Sequence, residues 1–575
     1  MSQLPSSPTA PGTRTPARPI GPTGPGSPAD TVIRGAHVHT VDAAMPRAEA
    51  LAVTGGRISW VGRDADAREH IGPRTEVVDA GGRLVLPGFI DAHNHVRLGS
   101  DSACVQLAGA DSLEEIGARI ADWRAAHPDA GWIEAEGFNY AAIPGARMPT
   151  AADLDALTGD RPALVLSYDV HTAWLNSAAL RRLGITRDSR ELPFGLVEKD
   201  EATGEPTGFL TQFAVRGLSR AGHRALRDLG VPWASPDRQY GRLRGSLDMA
   251  ARLGITTVVE PQNSLDDLAL FQRARDEGVL RSRLVAALFH PPGTGPEELA
   301  EFAEAARAYA DDRFRVGPLK LYIDDVVEPR TAALLEPYAG CTRHRGETFY
   351  PPVEFAELLT RLDAAGFQAF VHATGDRGIR TVLDAVATAR AANGPRDARH
   401  QVVHVECLDP ADVPRFAELG VVACMQPRHC APDIAGPGYD WAEAVGPERW
   451  TKAWPMRSLH RAGATLAFSS DWNVAEMDPL IGLYTAVTRR GLDGGEPWRP
   501  EETVDLATAV RAYTMGSAYA NFLEDEAGSL TPGKFADLVM LSDDLFALEA
   551  EAPEALKDAR VELSMVGGDV VHRAG

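Results

Sequence analysis

Eight short apolar segments, rich in branched residues, recur along this 575-residue chain and restrict its fold more than any other feature. They run over 88–93, 256–260, 283–289, 319–323, 368–372, 401–404, 421–425 and 465–469, and each reads as a buried strand. Amphipathic stretches at 266–277, 296–310, 353–365, 377–392 and 409–419 read as helices between them. Strands that alternate with helices pair in parallel, and eight of them suggest a (β/α)8 barrel. An open doubly wound sheet is disfavoured, because no Gly-x-Gly-x-x-Gly follows the first strand.

One connection is too long for a barrel loop. About 160 residues separate the first strand from the second, so an insertion is expected at about 100–250. Its strand-like pieces lie at 132–136 and 163–168. We expect it over a barrel mouth, at the C-terminal strand ends where such barrels carry their active sites. The two ends of the chain have a different texture. Residues 31–82 and 527–575 are rich in short strands and turns, with hairpins through Gly55-Gly56 and Gly567-Gly568. They are expected to pair into one small β domain, over 31–85 and 521–575, around a barrel spanning 86–520. Residues 1–30 are rich in proline and lack the apolar core of a signal peptide, so they read as an unstructured leader.

Composition narrows the functional classes. A net charge of −22 disfavours a nucleic-acid or anionic-membrane surface. No apolar run reaches the length of a membrane span. The five cysteines form no Cys-x-x-Cys, which argues against a disulfide framework and fits a reducing cytoplasm.

Polar residues then stand out by position. The first strand ends in His93-Asn94-His95, and residues at i and i+2 point the same way from a strand. A second such pair, His37-Val38-His39, lies in the turn-rich N-terminal part and reads as one face of a surface strand. Lys320 lies in the fourth barrel strand, His372 and His404 end the fifth and sixth, and Asp471 follows the eighth. Burying four histidines, a carboxylate and a lysine without shared partners is costly. A metal site accounts for all of them together.

Several separated motifs carry a family resemblance. They are Leu86-Pro-Gly-Phe-Ile-Asp-Ala-His-Asn-His95, Asp169-Val-His-Thr-Ala-Trp-Leu-Asn-Ser-Ala-Ala-Leu180 and Lys320-Leu-Tyr-Ile-Asp-Asp325. Val371-His-Ala-Thr-Gly-Asp-Arg377, Ser469-Ser-Asp-Trp472 and Gly528-Ser-Leu-Thr-Pro-Gly-Lys-Phe-Ala-Asp537 follow in order. Over roughly 31–575 the chain resembles the amidohydrolase superfamily, amidohydrolase-3 type, to which N-substituted formamide deformylases are similar. The resemblance implies a distorted (β/α)8 barrel with a β-sandwich made from both ends. It also implies one or two divalent ions, usually zinc. His93, His95 and Asp471 would hold one ion, and His372 and His404 the second. Lys320, carboxylated on its amine, would bridge the two.

The implied reaction is hydrolysis of a non-peptide C–N bond of a small amide or formamide, with Asp471, His404 and Lys320 as catalytic residues. A metal-activated hydroxide attacks, and Asp471 carries the proton to the leaving nitrogen. Cyclic-amide hydrolysis, deamination, a non-hydrolytic reaction or a silent scaffold are the rivals. Asp169, His171, Trp174 and Asn176 of the insertion, with Gln426 and Arg428 after the seventh strand, are the candidate substrate residues. Neither nucleic acid nor membrane is an expected partner; a homodimer is compatible with this class. Gln212, Glu260, the Asp324-Asp325 pair and Val403 depart from the family's commoner residues, which leaves the ligands intact but bears on the substrate.

Overall fold

The computed structural model describes residues 28–99, 103–143, 147–292 and 294–575. The proline-rich leader expected at 1–30 lies outside the described residues, save for its last three. The chain divides into two compact units. One comprises the chain up to Asn94, Leu247–Pro261 and Ala274–Gly575; the other comprises His95–Ser246 and Gln262–Arg273.

The first unit contains the barrel. Its strands are β1 (Phe89–Asp91), β2 (Ile255–Asn263), β3 (Arg283–Phe289), β4 (Phe314–Tyr322), β5 (Ala369–Ala373), β6 (Gln401–His404), β7 (Val422–Met425) and β8 (Leu466–Phe468). They form one eight-stranded sheet in sequence order, β1 to β8, and the registered pairs are parallel. The sheet is nearly closed: the Ala92 amide donates to Phe468 O at 3.3 Å, and the Asp471 amide to His93 O at 2.8 Å. Each of the eight expected segments is found as a strand. Small and branched side chains fill the interior, among them Ile90, Ala92, Val259, Val285 and Ala467. The strands are buried on both faces, which is why they read as near-continuous apolar runs.

The chain ends make two further sheets. One holds Arg57–Gly62, Ala50–Thr54, Thr31–Arg34 and Glu76–Asp79. The other holds Asp569–Arg573, Val561–Val566, Leu538–Leu541, Leu84–Pro87, His37–His39 and Arg47–Ala48. Ile33, Leu51 and Val53 of the first pack with Val85, Leu538 and Leu563 of the second, giving the sandwich its core. Leu84–Pro87 runs antiparallel to Leu538–Leu541, with Pro87 opposite Leu538. The chain then passes directly into β1 through Gly88. A Cβ there would lie 2.1 Å from Thr256 Cγ2, so only glycine permits this close approach.

The second unit is built on a seven-stranded sheet of its own. Val105–Gln106, Ile133–Phe138 and Ala163–Ser167 pair in parallel. Ala173–Leu175, Pro206–Thr211, Gly195–Lys199 and Glu191–Leu192 continue it in antiparallel pairs. Most of helix Leu268–Asp276, read from the sequence as an ordinary barrel helix, belongs to this unit. Arg97 explains the attachment. It is fully buried, lies 3.6 Å from Asp267 and donates to Gln262 O at 2.7 Å. No helix among the described residues is long and apolar enough to cross a membrane.

Candidate metal centre

The polar residues at the ends of β1, β6 and β8 converge. His93 Nε2 lies 3.2 Å from Asp471 Oδ1, and His404 Nδ1 lies 3.6 Å from Asp471 Oδ2. One ligand atom each from His93, His404 and Asp471 can be chosen so that all lie within 4.8 Å of one another, and all three residues are buried. His372 adjoins the group, its ring centroid 4.4 Å from that of His404. His95, two residues past His93, is buried and falls in the second unit, outside this group.

Further hydrogen bonds fix these side chains. Asp91, at the end of β1, accepts from the Ser470 amide at 2.9 Å, the Ser470 hydroxyl at 2.5 Å and Asn94 Nδ2 at 2.8 Å. It thereby locks the loop that carries Asp471 against the segment that carries His93. Burial pushes the Asp91 carboxyl up to about 6, although its hydrogen bonds oppose that rise. His404 Nδ1 faces Gln426 Oε1 at 2.9 Å, and Gln426 Nε2 donates to Ser469 Oγ at 2.8 Å. Gln426 therefore orients His404. His372 Nε2 is 3.0 Å from the carbonyl of Asp325, which favours the tautomer protonated at that nitrogen. Asp324 accepts from the amides of Ala333, Thr374 and Gly375 and so ties the loop after β4 to the loop after β5.

Lys320 is the anomaly of the barrel. It is wholly buried, and its Nζ has no hydrogen-bond partner. It lies 4.7 Å from the centroid of the Tyr322 ring and 5.3 Å from that of Phe370. Burial draws the ammonium down to about 7, so a large share is neutral amine near neutral pH. Burial also pushes His404 well below the ordinary histidine range, which leaves it neutral and able to ligate.

Two of the insertion residues, Trp174 and Asn176, are taken up in packing and capping. Trp174 was expected to wall a substrate group. It is instead a core residue of the second unit, fully buried, 5.3 Å from Phe138 between ring centroids, with Nε1 donating to Thr150 O at 2.8 Å. Asn176 caps helix Ser177–Arg182. Its Oδ1 accepts from the amides of Ala163 and Ala179, and its Nδ2 donates to Thr158 Oγ1 and Arg161 O. Its bonding capacity is used, so it has nothing left for a substrate. Asp169 accepts from the His171 amide at 2.9 Å and from Tyr140 Oη at 3.1 Å, and His171 is buried beside it. Arg428 does not present a free cation either: Asp433 at 2.6 Å and Glu476 at 2.8 Å hold its guanidinium. Two residues near the centre went unread in the sequence. Glu406 follows His404 by two positions, and His429 Nε2 lies 4.0 Å from Asp471 Oδ2. The available signal was positional, since both follow strand ends that already carry polar residues.

The donor set fits a divalent ion. Two imidazoles and a carboxylate within mutual reach suit zinc and related metals. The orphaned Lys320 amine has a use if modified to an anionic ligand. Barrel and donors together define the class of metal-dependent barrel hydrolases. Comparison with known proteins sharpens this. Residues 76–572 match the model of the amidohydrolase family, and the chain belongs to that family. Protein LONG AFTER FAR-RED 3 of Arabidopsis thaliana is 29% identical over 534 residues, covering 90% of this chain and 88% of that protein. An N-substituted formamide deformylase of Arthrobacter pascens is 29% identical over 533 residues, covering 90% and 94%. In fold, an uncharacterized metal-dependent hydrolase of Pyrococcus horikoshii superposes with a TM-score of 0.69 at 22% identity, covering 91% of this chain and 99% of that one.

Proposed function

We propose that the protein hydrolyses the C–N bond of a small non-peptide amide, with N-substituted formamides the first substrates to test. The convergence of His93, His404 and Asp471 at three strand ends carries this reading. Similarity to a formamide deformylase along nearly its whole length supports the choice of substrate. His93, His404 and Asp471 would hold the ion, with His372 beside them. A divalent ion bound there supplies a Lewis acid that makes water nucleophilic near neutral pH and polarises a carbonyl.

The chain's own groups do the rest. Asp471 takes a proton from the attacking water and returns it to the departing nitrogen. Water's oxygen ends on the acyl carbon, the C–N bond breaks, and the products are a carboxylate and an amine. Lys320, part of it neutral amine near neutral pH, would react with carbon dioxide, gaining a carboxylate and releasing one proton. That anion would be a further ligand where the ammonium would repel a cation. Gln426 keeps His404 oriented throughout.

The test is metal analysis and amide and formamide assays of the purified protein beside His93→Ala and Asp471→Asn. Metal-dependent release of amine, lost in both variants, is expected. Full activity without metal would overturn the mechanism. Turnover confined to cyclic amides or aminopurines would move the substrate while leaving the site in place.

A further inference from the structure

We infer that a pocket at the N-terminal ends of β3, β4 and β5 is a second ligand site, one that takes a small aromatic carboxylate. It lies in the first unit, and none of its lining residues takes part in the proposed hydrolysis. Val285 of β3, Val316 of β4 and Phe367, two residues before β5, give it apolar walls, with Phe522 beside them. Its volume is about 360 Å3, within the range of roughly 300–1,000 Å3 that small-molecule sites occupy. Arg315, also in the wall, precedes Lys320 in β4 by five residues, or about 16 Å of strand. The pocket and the polar strand ends therefore occupy opposite ends of the barrel.

Charge selects the guest. The chain carries −22 overall, yet the only charged residues lining the pocket, among the described residues, are Arg307 and Arg315. Arg315 donates to Glu526 Oε2 at 3.1 Å, so part of its capacity is used. Arg307 is exposed in the last turn of helix Pro296–Ala308 and enters no ion pair among the described residues. A planar guanidinium matches a carboxylate through two parallel hydrogen bonds. The helix end opposes an anion with about half a unit of negative charge, which one guanidinium outweighs. A cationic guest would be repelled by both arginines.

Phe522 supplies a flat apolar partner for the body of such a guest. It is 45% exposed and adopts φ 56°, a conformation that bulky residues rarely take without a compensating constraint. Arg399 is that constraint. Its guanidinium lies 4.3 Å from the centroid of the Phe522 ring and 3.9 Å from that of Tyr519, and Glu524 holds it at 2.7 Å. Gln368, in the pocket wall, donates to the carbonyls of Arg399 at 2.6 Å and Ala520 at 2.8 Å, tying the segment to the start of β5. The ring is thus held at the pocket although folding does not bury it. Aromatic rings favour offset or edge contacts with one another, which suits an aromatic guest beside Phe522 and Phe367.

The test uses the full chain as purified, with benzoate as probe and benzyl alcohol as its uncharged match, followed by saturation-transfer NMR and calorimetric titration. Benzoate should saturate one site and bind at least about 10-fold more tightly than benzyl alcohol, because a hydrogen bond to a charged group is worth that ratio or more. Arg307→Glu, at an exposed position, should remove that preference. Ala306→Trp, which fills the pocket from the same helix, should abolish binding of both probes, and Phe522→Ala should weaken both. His93→Ala should bind benzoate as wild type does. Thermal unfolding without probe checks that each variant is folded, and Arg307→Glu carries the test if Ala306→Trp is not. Absence of saturable benzoate binding overturns the inference, and so does equal affinity for the two probes. Unchanged benzoate binding in Arg307→Glu also overturns it, and loss in His93→Ala alone would place the probe at the metal centre instead.

Discussion

Lys320 and Asn176 are both wholly buried polar side chains, and their surroundings treat them oppositely. In the second unit Asn176 is bonded through both ends of its amide, accepting from Ala163 and Ala179 and donating to Thr158, Gly159 and Arg161. At the barrel Lys320 makes none, and His429 Nε2 nearby makes none. Folding alone explains a satisfied group, because its bonds replace those it had with water. It does not explain an orphan, which lowers stability and persists where a ligand or a chemical role compensates. The contrast makes Lys320 the residue at which a functional role is best tested.

The largest test of that contrast is at the orphaned end. Lys320→Met and Asp471→Asn should each lower kcat/KM on the best amide or formamide by at least about 1000-fold, equivalent to about 4 kcal/mol. Metal content should fall in both. Stability of the metal-free protein should not fall in Lys320→Met and should rise slightly, because an unpaired buried amine has been replaced by an apolar chain of similar length. Chemical denaturation of the stripped proteins measures this. A clear loss of stability in Lys320→Met would mean that the amine is structural, and the contrast would collapse.

Asn176→Ala is the mirror experiment. It strands the amides of Ala163 and Ala179 and the carbonyl of Arg161, and it removes a helix cap. We expect about 3 kcal/mol of destabilisation. Metal content of the folded protein should be unchanged. Metal loss at full stability would place Asn176 at the centre instead.

The barrel was legible because its strands are buried on both faces, and such strands leave uninterrupted apolar runs. The candidate site was legible for a related reason. His93, His372, His404 and Asp471 interrupt those runs at one end, where a polar residue has no role in packing. The second unit was harder. Trp174 and Asn176 stand in a motif with polar and aromatic texture, and sequence does not show that a tryptophan's N–H meets Thr150 or that an asparagine begins a helix. Glu406 and His429 were missed because they lie beyond the strand ends. The left-handed turn at His404 and Val405 redirects the chain, and a period-two pattern carries no sign of it.

A smaller effect should follow from Asp363, a satisfied carboxylate within the first unit. Burial alone would raise its pKa, but hydrogen bonds from His400, Asn393 and Arg396 outweigh burial and hold it below the usual carboxylate range. A group depressed in this way stabilises the fold above its unfolded pKa, about 3.9, and the contribution fades as pH falls toward the folded value. Asp363→Asn should therefore cost about 2 kcal/mol at pH 7. The gap between variant and wild type should narrow as the denaturation series is carried below about pH 4. A gap independent of pH would assign the loss to packing.

The smallest effect belongs to the other His-x-His. His37 and His39 repeat the spacing of His93 and His95, yet strand His37–His39 lies in a sandwich sheet with His37 exposed. His37 pairs at 3.0 Å with Asp544, while the His39 ring rests 4.5 Å from that of Phe546. His39 also contacts Arg47, so surface partners account for both histidines. His37→Ala removes one exposed side-chain contact, which is worth at most about 0.5 kcal/mol, and should leave metal content and turnover at wild-type values. His93→Ala, the same change at the same motif position, should remove metal. The distinction rests on what surrounds the pair: His93 ends a strand whose neighbours around the sheet supply His404 and Asp471, and strand His37–His39 has no such neighbours. A loss of metal in His37→Ala would show that spacing alone carries the signal, and the argument from strand ends would fail with it.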